Sequence, residues 1–386
     1  MRRSRAERGH RSIGLLAGAL LVLGVPATPA LADDVTCSYD APTRTVSVGV
    51  TPADNSPPIV LAFGGTILVH DDDVGDTTCA GVTEADTVVI DNASSSQPLV
   101  TGIYIGVRDP FAPGATDESG SSDEIELEVN LGPGGPVGVT SVYQVPGPEP
   151  PRSDIVLGAN RINLNADEVD GVDADVTMNG VSEARIDAGS SDDRIVGAGG
   201  FGTPQEPSTV PINTCYGAEL HAGNDFIVGG RRSDTLCGGQ GADTIEGGAG
   251  DDTIHGEDFR STEGGGPDRI SGGKGNDMIL GAKGGDRISA GAGRDRVGAA
   301  AGRDRIRLGA GRDLARSGKA SDRLKGGRGM DKLIGHRGRD RVIGGRGKDL
   351  LSGGKRRDKL NGGPSFDRCL GGRGPDLFSS CERLIE

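Results

Sequence analysis

From about residue 217 the chain sets one large apolar residue inside a polar, glycine-rich background, and repeats that arrangement every nine residues. Ile227, Leu236, Ile245 and Ile254 open the series, and Ile270, Ile279, Ile288, Val297 and Ile306 continue it towards Phe378. Each stands at the centre of an x-U-x triplet, which predicts a three-residue strand with one inward side chain. Such a strand cannot stand alone. Stacked copies can pair their backbones at about 4.8 Å, each burying its apolar residue against its neighbours. The six residues between strands are rich in Gly and predict a turn. Upstream the pattern is different. Thr45 to Val50 alternates, and Thr66 to Val69, Thr87 to Ile90 and Glu124 to Val129 are short β-prone runs. Residues 33–150 therefore predict a β-rich N-terminal domain, ending in a Pro-rich linker from Val145 to Pro151. Residues 151–216 predict a lead-in to the stack, with Ile162, Leu164, Val176, Ile186 and Ile195 as core and an irregular insertion from Gly202 to Glu219.

The turns carry the chemistry. Asp225, Asp234, Asp243 and Asp252 fall nine residues apart; after a seven-residue insertion Asp268 starts an unbroken series that runs through Asp277 and Asp286 to Asp367 and Asp376. Alignment on these residues gives G-G-x-G-x-D-x-U-x, with U apolar. Gly238 to Glu246, Gly247 to His255, Gly272 to Leu280, Gly326 to Ile334, Gly344 to Ser352 and Gly371 to Ser379 match it throughout. Over residues 217–380 the chain thus resembles the repeats-in-toxin (RTX, haemolysin-type) calcium-binding nonapeptide family. The resemblance implies an all-β, right-handed parallel β-roll (a β-solenoid) with two repeats per turn and calcium between adjacent turns. Carried onto this sequence, it implies Asp234, Asp243, Asp252, Asp268, Asp277 and Asp286 as Ca2+ ligands, completed by carbonyls near Gly239, Gly241, Gly248, Gly250, Gly273 and Gly275. The physical reason is independent of the resemblance. Stacked turns stack carboxylates, which repel unless a cation lies between them, and calcium takes six to eight oxygens of this kind. A plainer role for the same Asp residues is hydrogen bonding to their own turns.

Two chemistries share the period. Residues 217–289 form an acidic, calcium-type block, whereas residues 290–386 place Arg or Lys beside Asp, as at Arg294, Arg296, Arg303, Arg305, Arg339 and Arg341. In that second block the Gly pair erodes to Ala299-Ala300, Leu308-Gly309 and Ser317-Gly318, and Ala320, Arg356 and Ser365 replace the third Gly. Two readings stand side by side. Either the cations neutralise the stacked carboxylates in place of metal, or they point to solvent and metal binding survives.

Composition narrows the function. With 68 Gly, 21 Pro and no Trp, the chain cannot build a large aromatic core. Its net charge of −14 conceals an acidic excess in residues 33–286 and a basic excess in 287–386. Arg2 to Arg11, the apolar run from Ile13 to Val25 and Ala30-Leu31-Ala32 predict a signal peptide over 1–32, hence a secreted, extracellular protein with no membrane span after cleavage. The six Cys in an exported chain predict disulfides, by proximity Cys37–Cys79, Cys215–Cys237 and Cys369–Cys381, rather than a zinc site. No HExxH or G-x-S-x-G occurs, so an enzyme is not expected. The acidic runs Asp71-Asp72-Asp73 and Asp167 to Asp175 lack EF-hand spacing and are expected to be solvated loops. The expected function is a calcium-ion-binding protein in which calcium couples to folding of the repeats. The alternative is a cell-surface adhesive or structural protein whose basic half holds an anionic cell-envelope polymer. Without aromatic residues among the cations, specific nucleic-acid binding is not expected.

Overall fold

The computed structural model describes the backbone of strands between Asp34 and Asp187, and residues 193–197, 211–215, 222–257 and 265–385, with side chains from 193 to 382 within those ranges and at Ala184, Ile186 and Ser208. The expected signal peptide, the 145–151 linker, the acidic runs at 72–73 and 167–175, the Cys37–Cys79 pair and most of the 202–219 insertion lie outside the described residues.

Beyond residue 193 the chain is a parallel β-solenoid of about nine turns, and no helix occurs among the described residues. Each strand pairs in parallel with the strand two further along. Phe226–Val228 pairs with Thr244–Ala249, which pairs with Arg269–Lys274, while Thr235–Cys237 pairs with Thr253–His255 on the other side. One turn is therefore two repeats, and between Asp225 and Asp376 an Asp rung joins residues 18 positions apart. Only across the seven-residue insertion does the separation become 25, so the insertion loops out without shifting the register.

The apolar residue of each repeat points inward, as the period predicts. Ile227 through Cys369 are at most 4% exposed, while their neighbours along the strand face outward. Phe378 departs from this, at 38% exposed, in a strand that pairs on one side only among the described residues. The strands also differ from expectation in length. Many run six residues, such as Arg323–Arg328 and Arg341–Arg346, and include the Gly pair. The first Gly of the pair faces the interior and so continues the strand's in–out alternation. The second Gly then turns the chain with a left-handed backbone, as at Gly248 with φ 103°.

Upstream strands belong to the same stack. Asp154–Leu157 pairs in parallel with Arg194–Val196, and Glu126–Thr140 pairs in parallel with Val176–Asp187, which pairs with Ile212–Asn213. Two of the expected disulfides are present. Cys215–Cys237 and Cys369–Cys381 have Cα separations of 5.0 and 5.9 Å and staple the two ends of the repeat array. Closing loops of this size limits the unfolded chain by about 3 kcal/mol each.

Because each inward residue touches the turns above and below, one deletion weakens two interfaces. Leu333→Ala, at a site with no solvent exposure, is expected to lower unfolding free energy by about 2–5 kcal/mol in a denaturant titration. A loss under 1 kcal/mol would mean that the roll has no continuous core there.

Candidate metal centre

The Asp residues form two columns, one along each side of the roll. In the first, the N–H of Asp225 donates to Asp243 Oδ1, that of Asp243 to Asp268 Oδ1, and so on through Asp286, Asp304, Asp322, Asp340 and Asp358 to Asp376, at 2.8–3.0 Å. The second runs from Asp234 through Asp252, Asp277, Asp295, Asp313, Asp331 and Asp349 to Asp367. Its last rung differs, because Asp367 N–H donates to Glu382 Oε2 at 2.5 Å. The Asp carbonyl is also used, accepting from the residue that opens the strand one turn on, as with Arg305 N–H to Asp286 O at 2.8 Å.

These bonds go to the next turn rather than to the Asp's own turn. They consume Oδ1 only. From Asp234 to Asp367 every Asp in register is at most 2% exposed. The second oxygen, Oδ2, of Asp252, Asp268, Asp277 and Asp286 is buried with no hydrogen-bond partner, and the same holds from Asp295 through Asp367. Asp234 is different, because its Oδ2 accepts from Gly230 N–H at 2.6 Å.

What faces Oδ2 is the first Gly of the repeat. A β-carbon on Gly247 would lie 2.5 Å from Asp252 Oδ2 and 2.6 Å from Gly272 O, the carbonyl of the first Gly one turn on. On Gly335 it would lie 2.5 Å from Asp340 Oδ2 and 2.6 Å from Gly353 O. Gly344 repeats the arrangement with Asp349 and Gly362 O, and Gly238 with Asp243 and Gly256 O. Each of these four glycines thus leaves a buried cradle, bounded by a carboxyl oxygen from one turn and a carbonyl oxygen from the next. Its centre is at calcium–oxygen distance, about 2.3–2.6 Å, from both. No three acidic, His or Cys side chains converge among the described residues, so main-chain carbonyls would have to supply most of a cation's shell.

Electrostatics agree with the geometry. Burial pushes these carboxyls up, Asp268 to about 8 and Asp252, Asp286, Asp331 and Asp340 to about 7, and neighbouring carboxylates in the column add to the rise. For Asp268 the neighbours are Asp243, Asp286 and Glu257. Glu257 lies in the seven-residue insertion. It is 5% exposed, and its Oε1 accepts from Lys283 N–H at 3.2 Å. Lying outside the nine-residue register, it left no periodic signal in the sequence.

The predicted ligand residues divide accordingly. The six Asp are brought into the two columns in consecutive order. The carbonyls of Gly248, Gly250, Gly273 and Gly275 point along the stack at the α-carbons of Gly273, Gly275, Gly291 and Gly293, and Gly241 O points at Gly266. Gly239 N–H donates to Gly256 O at 3.1 Å. The carbonyls nearest Oδ2 belong instead to the first Gly of each pair, which the sequence marked only as a turn former. In the basic half the cations do not enter the columns. Arg294, Arg296, Arg303, Arg305, Arg339 and Arg341 are exposed, and Oδ2 of Asp331 to Asp367 meets no guanidinium. The reading in which Arg and Lys neutralise the stacked carboxylates is therefore overturned: strand alternation puts residues next to a buried Asp on the outer surface.

No curated protein matches the chain. A family model for the RTX calcium-binding nonapeptide repeat matches residues 185–204, 221–254, 264–297, 280–315, 316–351 and 343–378, together less than half of the chain. The stacked turns at 221–254 and 264–378 thus match the RTX calcium-binding nonapeptide repeat, and they fold as a parallel β-solenoid.

Proposed function

We propose that this is a secreted protein whose roll folds around calcium held in the Asp columns. The observation that carries the proposal is the row of buried Oδ2 atoms, most of which face the space left by a first Gly, as Asp252 Oδ2 does beside Gly272 O. Asp234, Asp243, Asp252, Asp268, Asp277 and Asp286 are the proposed acidic ligands, with first-Gly carbonyls such as Gly256 O and Gly272 O beside them. Carbonyls near Gly239, Gly241, Gly248, Gly250, Gly273 and Gly275 are proposed to fill out the shells. When bound, calcium supplies positive charge between carboxylates that otherwise repel. The chain contributes pre-positioned oxygens: Oδ1 is fixed by its rung, so Oδ2 is aimed before any ion arrives. The predicted leader over 1–32 supports export, where calcium is plentiful, and residues 33–150 are proposed as a β-rich domain that closes the first end of the stack.

A second reading, adhesion through an anionic envelope polymer, is favoured by one outer face. Arg269, Arg287, Arg305, Arg323, Arg341 and Lys359 stand directly opposite one another on successive strands, all exposed. Arg307 and Lys325 run beside them, and grooves of about 380 and 280 Å³ lie along this face. Like charges in register destabilise a sheet, and a bound polyanion relieves that cost. The opposite face breaks its cations with Leu314 and Leu350.

Three outcomes are expected. Calcium titration of the chain from residue 33 should produce a cooperative gain of β signal in circular dichroism with several ions bound, each independent site adding about 2.7 kcal/mol at 100-fold excess over its Kd. Asp252→Asn should lower the ion count; full β structure in chelator with no ions bound would sink the proposal. The pH dependence should reverse with calcium. In the cation-free chain the raised carboxyls bind protons more tightly folded than unfolded, so stability falls as pH rises from about 4 to about 8. Acidifying from pH 8 to 5 should then raise Tm in chelator and lower it at saturating calcium; parallel trends would contradict proton–calcium competition. Finally, replacing Arg287, Arg305 and Arg323 with Ser should weaken co-sedimentation with a polyuronate and flatten its salt dependence; unchanged binding would remove the adhesive reading.

A further inference from the structure

In four consecutive repeats the cradle is not open. The residue five before the columnar Asp is Gly at Gly229, Gly238, Gly247, Gly272 and Gly281 and again from Gly326 to Gly371, and Gly256 takes that place for Asp268 across the insertion, but it is Ala290 before Asp295, Ala299 before Asp304, Leu308 before Asp313 and Ser317 before Asp322. All four are fully buried. Their β-carbons stand at the position where Gly247, Gly272, Gly335 and Gly344 leave space beside an Asp Oδ2. Ser317 goes furthest. Its hydroxyl donates to Gly335 O at 3.0 Å, the carbonyl that would otherwise face a cation, and it draws the Asp322 carboxyl down against the rise from burial.

This is not decay of the fold. The rungs pass through the segment without a break, Asp277 to Asp295, Asp295 to Asp313, Asp286 to Asp304 and Asp304 to Asp322, all at 2.9–3.0 Å. The inward Ile288, Val297, Ile306 and Ala315 stay buried. Only the donor set toward a metal has changed, because the same small volume cannot hold a side chain and an ion together. An ion in a filled cradle would need its two nearest oxygens at about 2.3–2.6 Å, the separation at which a β-carbon already stands.

We infer that the roll carries two separate calcium ladders, one through Asp286 and a second from Asp331 onward, divided by a metal-free segment at Asp295, Asp304, Asp313 and Asp322. The inference rests on the calcium reading of the columns. It assigns metal sites within the basic half, at the cradles of Gly326, Gly335, Gly344 and Gly353, where carboxylate and glycine stand as they do in the acidic half. The central turns hold together through rungs and packing alone. The second ladder is thereby able to load independently of the first.

Calcium bound to the full chain, counted by equilibrium dialysis with elemental analysis, tests this. The variant A290G/A299G/L308G/S317G is expected to gain about four ions. Since Leu308→Gly removes core packing, A290G/A299G/S317G is the companion, with a gain of about three. In the other direction Gly335→Ala and Gly344→Ala, each closing a cradle of the second ladder, are expected to lose ions, as Gly247→Ala does in the first. No gain in either glycine-restoring variant, while Gly247→Ala still loses ions, overturns the metal-free segment. Unchanged counts in Gly335→Ala and Gly344→Ala overturn the second ladder. No ions on the unsubstituted chain overturn the calcium reading itself, a result distinct from both.

Discussion

The hydrogen bond from each Asp N–H to the carboxylate one turn further along is the constraint on which the rest of the roll depends. It repeats every 18 residues, so it sets the pitch, aligns the inward aliphatic residues and keeps the strands parallel. It also divides each carboxylate between two tasks. Oδ1 satisfies a buried N–H that would otherwise be costly, and Oδ2 is left desolvated. A carboxylate cannot be built into a column this way without a remaining negative charge to answer. Protonation answers it when no metal is present, and a divalent cation answers it for two turns at once. The end of the array shows the rung's structural worth by itself, since Glu382 supplies the acceptor where the Asp series stops, held close by the Cys369–Cys381 bridge.

Much of this was legible in the sequence because the period is strict. Asp at every ninth position and an apolar residue two beyond it were enough to place the turns, the inward residues and the carboxylate columns, and proximity sufficed for Cys215–Cys237 and Cys369–Cys381. What a single nine-residue unit does not reveal is its neighbour in space, which is two units away. For that reason the roles of the glycines were distributed differently from expectation. The second and third Gly of the motif shape the turn, while the first makes room beside Oδ2. Glu257 was invisible for the opposite reason, since it lies in the one insertion that leaves the register. The direction of Arg beside Asp was ambiguous only as long as the strand was taken to begin after the turn. Once Asp is inward, its neighbours are outward.

A solenoid turns any residue choice into a column, so charge accumulates along it in ways a globular fold would average out. Inside, the Asp rungs run alike through the acidic and basic repeats, with a buried Asp on each from Asp234 to Asp367. Among the described repeats the difference in charge therefore lies on the outer surface. On one face it reaches the point of six cations directly opposite one another. The two sets of like charges face different solvents. The inner column is out of water, where repulsion is strong and little short of a cation or a proton relieves it. The outer column is hydrated and screened by salt, so it can persist without a partner and still favour a linear polyanion. Cation capture within the columns and polymer capture on the outside are consequently separable, since they use different atoms on opposite sides of the same strands.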